Sequence, residues 1–83
     1  VYPQVLVNVE VPHSGGVKEA IMASPALAEA VKQEEEALAG AGRVLVRPSG
    51  TEALIRVMVE AKTTDIAQTV ADRLADFIKS QKN

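Results

Sequence analysis

The chain has 83 residues, a formal net charge of −2 at pH 7 and no cysteine. Its length predicts a single domain over residues 1–83, its charge argues against a general nucleic-acid surface, and the absence of cysteine excludes disulfides and cysteine-ligated metal sites. No apolar segment approaches the roughly 18–20 residues that span a bilayer, so we expect no membrane partner and take the cytoplasm as the default location.

The first predicted element is a strand over residues 4–11, in which valines alternate with other residues. This period of two predicts a strand with one buried face. Residues 12–16, with the sequence PHSGG, should end the strand because proline and glycine interrupt regular structure. His13 is expected to be an exposed loop residue, since no second ligand or nucleophile accompanies it. Residues 17–23 fit either a short helix or an ordered loop.

A helix is predicted to begin after Ser24, which suits an N-cap, with Pro25 at the first helical position. It should stop at Gly40, because glycine readily adopts the left-handed conformation that ends many helices. The helix carries three consecutive glutamates at 34–36. We interpret them as a solvated face rather than a metal or partner site, because charge runs of this kind are usually hydrated.

Two further strands are predicted over residues 43–47 and 54–61, followed by a last helix that begins near Thr63–Asp65. Asp65 and Gln68 have the spacing of a capping box. Apolar residues then recur at helical spacing: Ile66, Val70, Leu74, Phe77 and Ile78. The order β-α-β-β-α predicts an α+β fold, with two helices packed on one face of a mainly antiparallel sheet of three to four strands.

The alternation in the two later strands also predicts how they pair. Their valines should face the helices, which leaves the arginines on the opposite, open face, and a slip of one residue would bury those arginines instead. The simplest register pairs valine with valine, sets Arg43 opposite Glu60, and brings Arg47 beside Arg56. Like charges side by side destabilise a sheet, and an external dianion would relieve the conflict between the two arginines.

The segment between these strands, PSGTE at residues 48–52, has the chemistry of a phosphate-binding loop. Gly50 lets the backbone approach a ligand and take a positive φ, and successive N–H groups of such a turn can form an anion nest. Ser49 and Thr51 add hydroxyl donors, and the guanidinium groups of Arg47 and Arg56 can each hold phosphate through paired hydrogen bonds. The alternative is a polar hairpin loop whose arginines remain in water.

Three apolar residues are expected on the otherwise polar open face: Leu6, Leu45 and Met58. They form a small patch in the predicted register. In an isolated fragment the patch carries no meaning, whereas in a larger protein it marks contact with a neighbouring domain. The sequence leaves both interpretations open.

The stretches RPSGTE and LIRVMVE resemble the phosphate-binding loop in the C-terminal domain of the α-D-phosphohexomutases. The opening YPQVLVNV and the lead-in GRVLVRPSGTE fit the same family, so the resemblance covers essentially the whole chain. The RVMVE ending is most similar to the bacterial branch that uses glucosamine phosphates. The resemblance implies a TBP-like domain of a four-domain enzyme, so we expect a fragment of a longer protein, as the absence of an initial Met also indicates.

By this resemblance, the parent enzyme interconverts glucosamine 6-phosphate and glucosamine 1-phosphate, on the way to UDP-N-acetylglucosamine and the bacterial cell wall. A phosphoserine of the first domain and a 1,6-bisphosphate intermediate carry the reaction, and aspartates of another domain hold Mg²⁺. The last domain is a mobile lid that binds the phosphate not being transferred, through Arg47, Ser49, Gly50 and Thr51, with Arg56 as the second cation.

The resemblance therefore implies that this chain holds no catalytic residue and no metal ligand, and is inactive alone. Its partners are the sugar phosphate or bisphosphate and the other domains of the same chain, and a homodimer of the parent is compatible with it. Two alternatives remain at this point: the same domain of a related phosphoglucomutase or phosphomannomutase, and a separate phosphate-binding module. A structural interaction domain is a weaker third.

The sequence departs from the family at one position. Ala53 stands where the family usually has proline after the glutamate of the loop. Proline would fix φ at the loop exit and bias the preceding residue toward extended conformations. Alanine removes no ligand group, so we predict a more mobile loop that still binds.

Overall fold

The computed structural model describes residues 2–12 and 15–81. The elements in chain order are β1 (Gln4–Glu10), α1 (Val17–Met22), α2 (Pro25–Leu38), β2 (Arg43–Pro48), β3 (Leu54–Glu60) and α3 (Thr64–Ser80). The segment that the sequence left undecided is thus the short helix α1. His13 lies outside the described residues. Within the described part of the chain, no helix combines the length and apolar character needed to cross a membrane.

The sheet has three strands in the order β1-β3-β2, and both pairings are antiparallel. The central strand, β3, is buried on one face, where Ile55, Val57 and Val59 are fully inaccessible to solvent. Its register with β2 is the one the valine alternation predicts, with Val46 opposite Val57. The α+β class and the antiparallel sheet are therefore confirmed.

Helices α2 and α3 cover the valine face of the sheet, and the opposite face stays open. The buried apolar residues of β1, β2 and β3 join those of the helices in one cluster. From α3 this cluster takes six residues: Ala67, Val70, Ala71, Leu74, Ala75 and Ile78. Each full burial of a Val, Leu or Ile side chain stabilises the fold by about 1.5–3 kcal/mol.

Helix α3 begins within the predicted range near Thr63–Asp65, but its N-cap differs from the predicted one. The N-cap is Thr63, whose side-chain oxygen accepts a hydrogen bond from the Ile66 N–H at 3.1 Å. The capping box proposed for Asp65 and Gln68 is wrong, because Asp65 lies within the first turn and Gln68 donates to Asp72 at 2.8 Å. Ile66 is 43% exposed, so the buried stripe begins one residue later.

The glutamates of α2 are only partly the solvated face that the sequence predicted. Glu34 accepts two hydrogen bonds from Arg73 of α3, both at 2.8 Å, and Glu35 accepts one from the Val44 N–H at 3.4 Å. The hydrogen bonds and the charge of Glu34 raise the pKa of Arg73 above its ordinary value. Glu35 and Glu36 keep the predicted exposed positions, whereas Glu34 is half-buried. The solvated interpretation was wrong for Glu34, because helix packing brings it to Arg73 of α3.

The connection from α2 to β2 contains three residues with positive φ before the strand begins: Ala39, Gly40 and Gly42. The helix ends at Leu38, and the first left-handed residue is Ala39 (φ 52°), followed by Gly40 (φ 80°). Gly42 then lies against the end of β3. A Cβ atom at Gly42 would overlap the carbonyl oxygen of Glu60, so only glycine allows this close approach.

Candidate functional site

The turn between β2 and β3, residues 49–53, is held by its own hydrogen bonds. The Ser49 N–H donates to the Leu54 carbonyl at 2.9 Å, which closes the hairpin. The Ser49 hydroxyl accepts the Glu52 N–H at 3.2 Å, and the Leu54 N–H donates to the Glu52 carbonyl at 2.9 Å. Ser49 is only 9% exposed. Its hydroxyl oxygen therefore shapes the loop, while its proton remains available to an acceptor.

Arg47 and Arg56 are direct cross-strand partners on the open face, and both are exposed. Side chains in this relation have Cβ atoms about 4.5–5.5 Å apart. The ion pairs within the described residues are Arg43–Glu60 and Arg73–Glu34. Neither Arg47 nor Arg56 therefore pairs with a carboxylate there. Glu52, the loop carboxylate, makes no ion pair with them either. The two cationic residues therefore lie opposite each other in the ladder, next to the loop.

Two further side chains extend this arrangement. Asn8 of β1 lies opposite Arg56 on its other side, so an amide and two guanidinium groups form a polar row across all three strands. A surface cavity of about 500 Å³ lies where β1 meets the loop, and its lining includes Asn8, Thr51 and the carboxylates Glu10 and Glu52. Of the polar row, Asn8 borders this cavity, whereas the two arginines do not line it.

The backbone of the loop keeps donors for a ligand. The hydrogen bonds within the described residues use the N–H groups of Ser49, Glu52 and Leu54, but not those of Gly50 and Thr51. A Cβ atom added at Gly50 would have no neighbour within 4 Å. The positive φ expected at Gly50 was wrong, since the glycines with positive φ are four others: Gly15, Gly16, Gly40 and Gly42. Gly50 contributes open access to its N–H rather than an unusual backbone angle.

The exit of the loop is tied to β1. The Ala53 carbonyl accepts the Val11 N–H at 2.9 Å, whereas the Ala53 N–H donates no hydrogen bond within the described residues. Proline at this position would therefore cost no hydrogen bond. The greater mobility predicted from alanine stays a prediction.

No sequence pattern pointed to Lys18, which the fold brings to the loop from α1. Its Nζ atom donates to the Ser49 carbonyl at 2.7 Å and to the Glu52 carbonyl at 3.2 Å. A cavity of about 150 Å³ lies beside this contact, lined by residues of α1 and the loop. Because 31 residues separate Lys18 from Ser49, no local pattern could have linked them.

A second row on the open face is apolar. Leu6, Met58 and Leu45 are aligned across β1, β3 and β2, as the sequence predicted. Leu6 is 60% and Leu45 is 39% exposed. This apolar row lies one row away from the polar row, on the side remote from the loop.

The sequence of the chain is similar to that of a known protein family. Residues 6–77 match the family model described as phosphoglucomutase/phosphomannomutase, C-terminal domain. The phosphoglucosamine mutase of Shouchella clausii (strain KSM-K16) is 48% identical over 80 residues, which are 96% of this chain and 17% of that protein. That of Nocardioides sp. (strain ATCC BAA-499 / JS614) is 54% identical over 80 residues, 95% of this chain and 17% of the relative. The chain thus spans 17% of the length of these curated relatives.

Solved structures agree in fold. Aspergillus fumigatus N-acetylphosphoglucosamine mutase superposes with a TM-score of 0.81 at 26% identity, over 98% of this chain and 16% of that one. The structure of the same protein in complex with GlcNAc-6P and magnesium gives a TM-score of 0.78 at 26% identity, over 99% and 16% of the two chains.

Proposed function

Because the chain belongs to the phosphoglucomutase/phosphomannomutase C-terminal domain family, we propose that it is the last domain of a phosphoglucosamine mutase. The parent enzyme interconverts glucosamine 6-phosphate and glucosamine 1-phosphate, and this domain binds the phosphate that is not being transferred. The proposal is supported by the relatives that carry this name. It is also supported by the Aspergillus neighbour, which was solved with a sugar phosphate.

The observation that carries the phosphate-binding role is the Arg47–Arg56 pair beside the loop. Two guanidinium groups with no carboxylate partner in the described residues offer paired donors to a phosphate dianion. The N–H groups of Gly50 and Thr51 and the hydroxyls of Ser49 and Thr51 add short-range donors. The dianion neutralises the like charges, so ligand binding relieves a repulsion built into the sheet.

Such a site contributes to the reaction without making or breaking bonds. Binding energy from a remote phosphate can hold the reacting end of the sugar in place and favour closure of the domain over it. The described residues contain no group of three His, Asp or Glu side chains that could hold a metal ion. We assign the Mg²⁺ ligands and the phosphorylated serine to other domains of the parent, as the family resemblance implies.

The test compares two arginines of the same strand in the full-length parent enzyme. Arg47→Ala should raise the KM for glucosamine 6-phosphate roughly tenfold or more, since a hydrogen bond to a charged group is worth about 1.5–3 kcal/mol. Arg43→Ala is the matched control, because Arg43 pairs with Glu60 at 2.8 Å and lies away from the loop. Equal steady-state constants for Arg47→Ala and the unmodified enzyme would refute the assigned role.

The apolar row of Leu6, Met58 and Leu45 supports contact with another domain of the same parent. The relatives are far longer than this chain, and the row adjoins the proposed phosphate site on one continuous face. Leu45→Ser in the parent should weaken substrate-induced protection of β2 amides against hydrogen exchange. Ile66→Ser is the control, since Ile66 is similarly exposed but lies on α3. Equal protection in both variants would remove this role.

A further inference from the structure

Lys18 is the side chain of α1 that contacts the proposed phosphate loop. Its ammonium group uses two of its three donors on the Ser49 and Glu52 carbonyls, at 2.7 and 3.2 Å. These carbonyls lie on either side of Gly50 and Thr51 in sequence. The contact therefore spans the part of the loop whose N–H groups have no acceptor in the described residues.

The geometry of the peptide unit links this contact to the direction of the Gly50 N–H bond. The Ser49 carbonyl and the Gly50 N–H belong to one peptide unit, and in a planar trans peptide the two bonds point in opposite directions. Since the Ser49 carbonyl points at Lys18, the Gly50 N–H points away from α1. A Cβ atom at Gly50 would have no neighbour within 4 Å, so the surroundings are open to a ligand.

We infer that Lys18 is a positioning residue for phosphate binding, acting through the Ser49–Gly50 peptide; the inference rests on the proposed function. The ammonium holds the carbonyl end of this peptide and thereby aims its N–H donor at the anion. Its positive charge also raises the electrostatic potential at the loop. A dianion bound on the other side of the loop is still attracted by this charge. Lys18 does not touch the phosphate.

The test uses the full-length parent enzyme with Lys18→Met, which keeps an unbranched side chain of similar size and removes its ammonium group. The KM for glucosamine 6-phosphate should rise about fivefold, while kcat at saturating substrate stays within about twofold. Lys32→Met is the matched control, because Lys32 is an exposed lysine of α2, and the lysine hydrogen bonds to the loop within the described residues come from Lys18. It should leave both constants unchanged.

A second readout follows the peptide itself. In the 83-residue chain, inorganic phosphate should shift the Gly50 amide proton resonance, and the shift at equal phosphate concentration should be smaller in Lys18→Met. A purely structural role predicts instead a lower unfolding midpoint with an unaltered phosphate response.

The outcomes separate the two proposals. If Arg47→Ala raises the KM and Lys18→Met does not, the positioning role of Lys18 is wrong and the phosphate site stands. If neither variant changes the KM, the proposed function itself fails. If Lys18→Met lowers kcat with the KM intact, Lys18 acts elsewhere and the inference is overturned.

Discussion

Each end of the β2–β3 ladder carries an arginine of β2, which faces a carboxylate at one end and a second arginine at the other. At one end Arg43 faces Glu60, and their side chains meet at 2.8 Å. At the other end Arg47 faces Arg56, and no carboxylate of the described residues pairs with either. Both pairs lie on the open face of the same two strands. The first end satisfies its charge internally, whereas the second leaves two positive charges beside a loop with unused N–H donors.

If the proposed function holds, this difference lets one sheet combine stability at one end with phosphate binding at the other. An internal ion pair would occupy the guanidinium groups and remove the reason for an anion to bind. Like charges in direct opposition instead cost some stability in the free domain, and an anionic ligand recovers it. Substitutions that alter one end of the ladder at a time separate these two effects.

The largest effect should come from Arg56→Glu, which makes the loop end resemble the paired end. A carboxylate opposite Arg47 would neutralise it and repel a phosphate, so affinity for glucosamine 6-phosphate in the parent enzyme should fall about a hundredfold or more. The free chain should become more stable by roughly 0.2–1 kcal/mol, as exposed cross-strand pairs do. Calorimetric titration and urea denaturation measure the two quantities. Tight binding by this variant would contradict the role of the arginine pair.

Gly42→Ala should destabilise the end of the ladder where Arg43 pairs with Glu60. The added methyl group would overlap the Glu60 carbonyl, and the backbone of β2 would have to move. Overpacking of this kind costs typically 1–3 kcal/mol, so we expect a loss of about 2 kcal/mol in the free energy of unfolding. Gly50→Ala is the control at the loop end, where the new atom meets nothing within 4 Å. An equal loss of stability in the two variants would refute the distinction.

Glu60→Gln should have a small effect on stability. The side chain of Arg43 is 66% exposed, so solvent screens the ion pair, and the expected loss is about 0.2–1 kcal/mol. Phosphate affinity should not change, because the substitution lies at the far end of the ladder from the loop. Denaturation at low and at high salt measures the effect, which should shrink as salt increases. A change in the KM of the parent enzyme would show that the two ends are coupled.

Ala53→Pro should have a comparably small effect on stability, in the opposite direction. The Ala53 N–H donates no hydrogen bond within the described residues, so proline removes none and restricts the unfolded chain. We expect a gain of up to about 1 kcal/mol in stability and unchanged or tighter binding of the sugar phosphate by the parent enzyme. A clearly weaker affinity would count against the view that alanine only loosens the loop.

The sequence alone predicted the register on which the site depends. Valines at every second position fix which face of each strand is buried, and a slip of one residue would bury charge, so Arg47 had to lie beside Arg56. The class of fold followed from the same periodicities. Local signals were less reliable at helix ends, where Thr63 rather than Asp65 proved to be the cap, because neighbouring residues offer similar capping chemistry.

Other features were decided only by the tertiary structure. Lys18 reaches the loop because α1 packs near the end of β2, and Glu34 meets Arg73 because α2 and α3 lie side by side. The residues in these two contacts are separated by 31 and 39 positions in the sequence. Hydrophobic periodicity describes only the residues within one helix or strand. The sequence thus determined which residues share a face, and the packing of the elements determined which residues far apart in the chain come into contact.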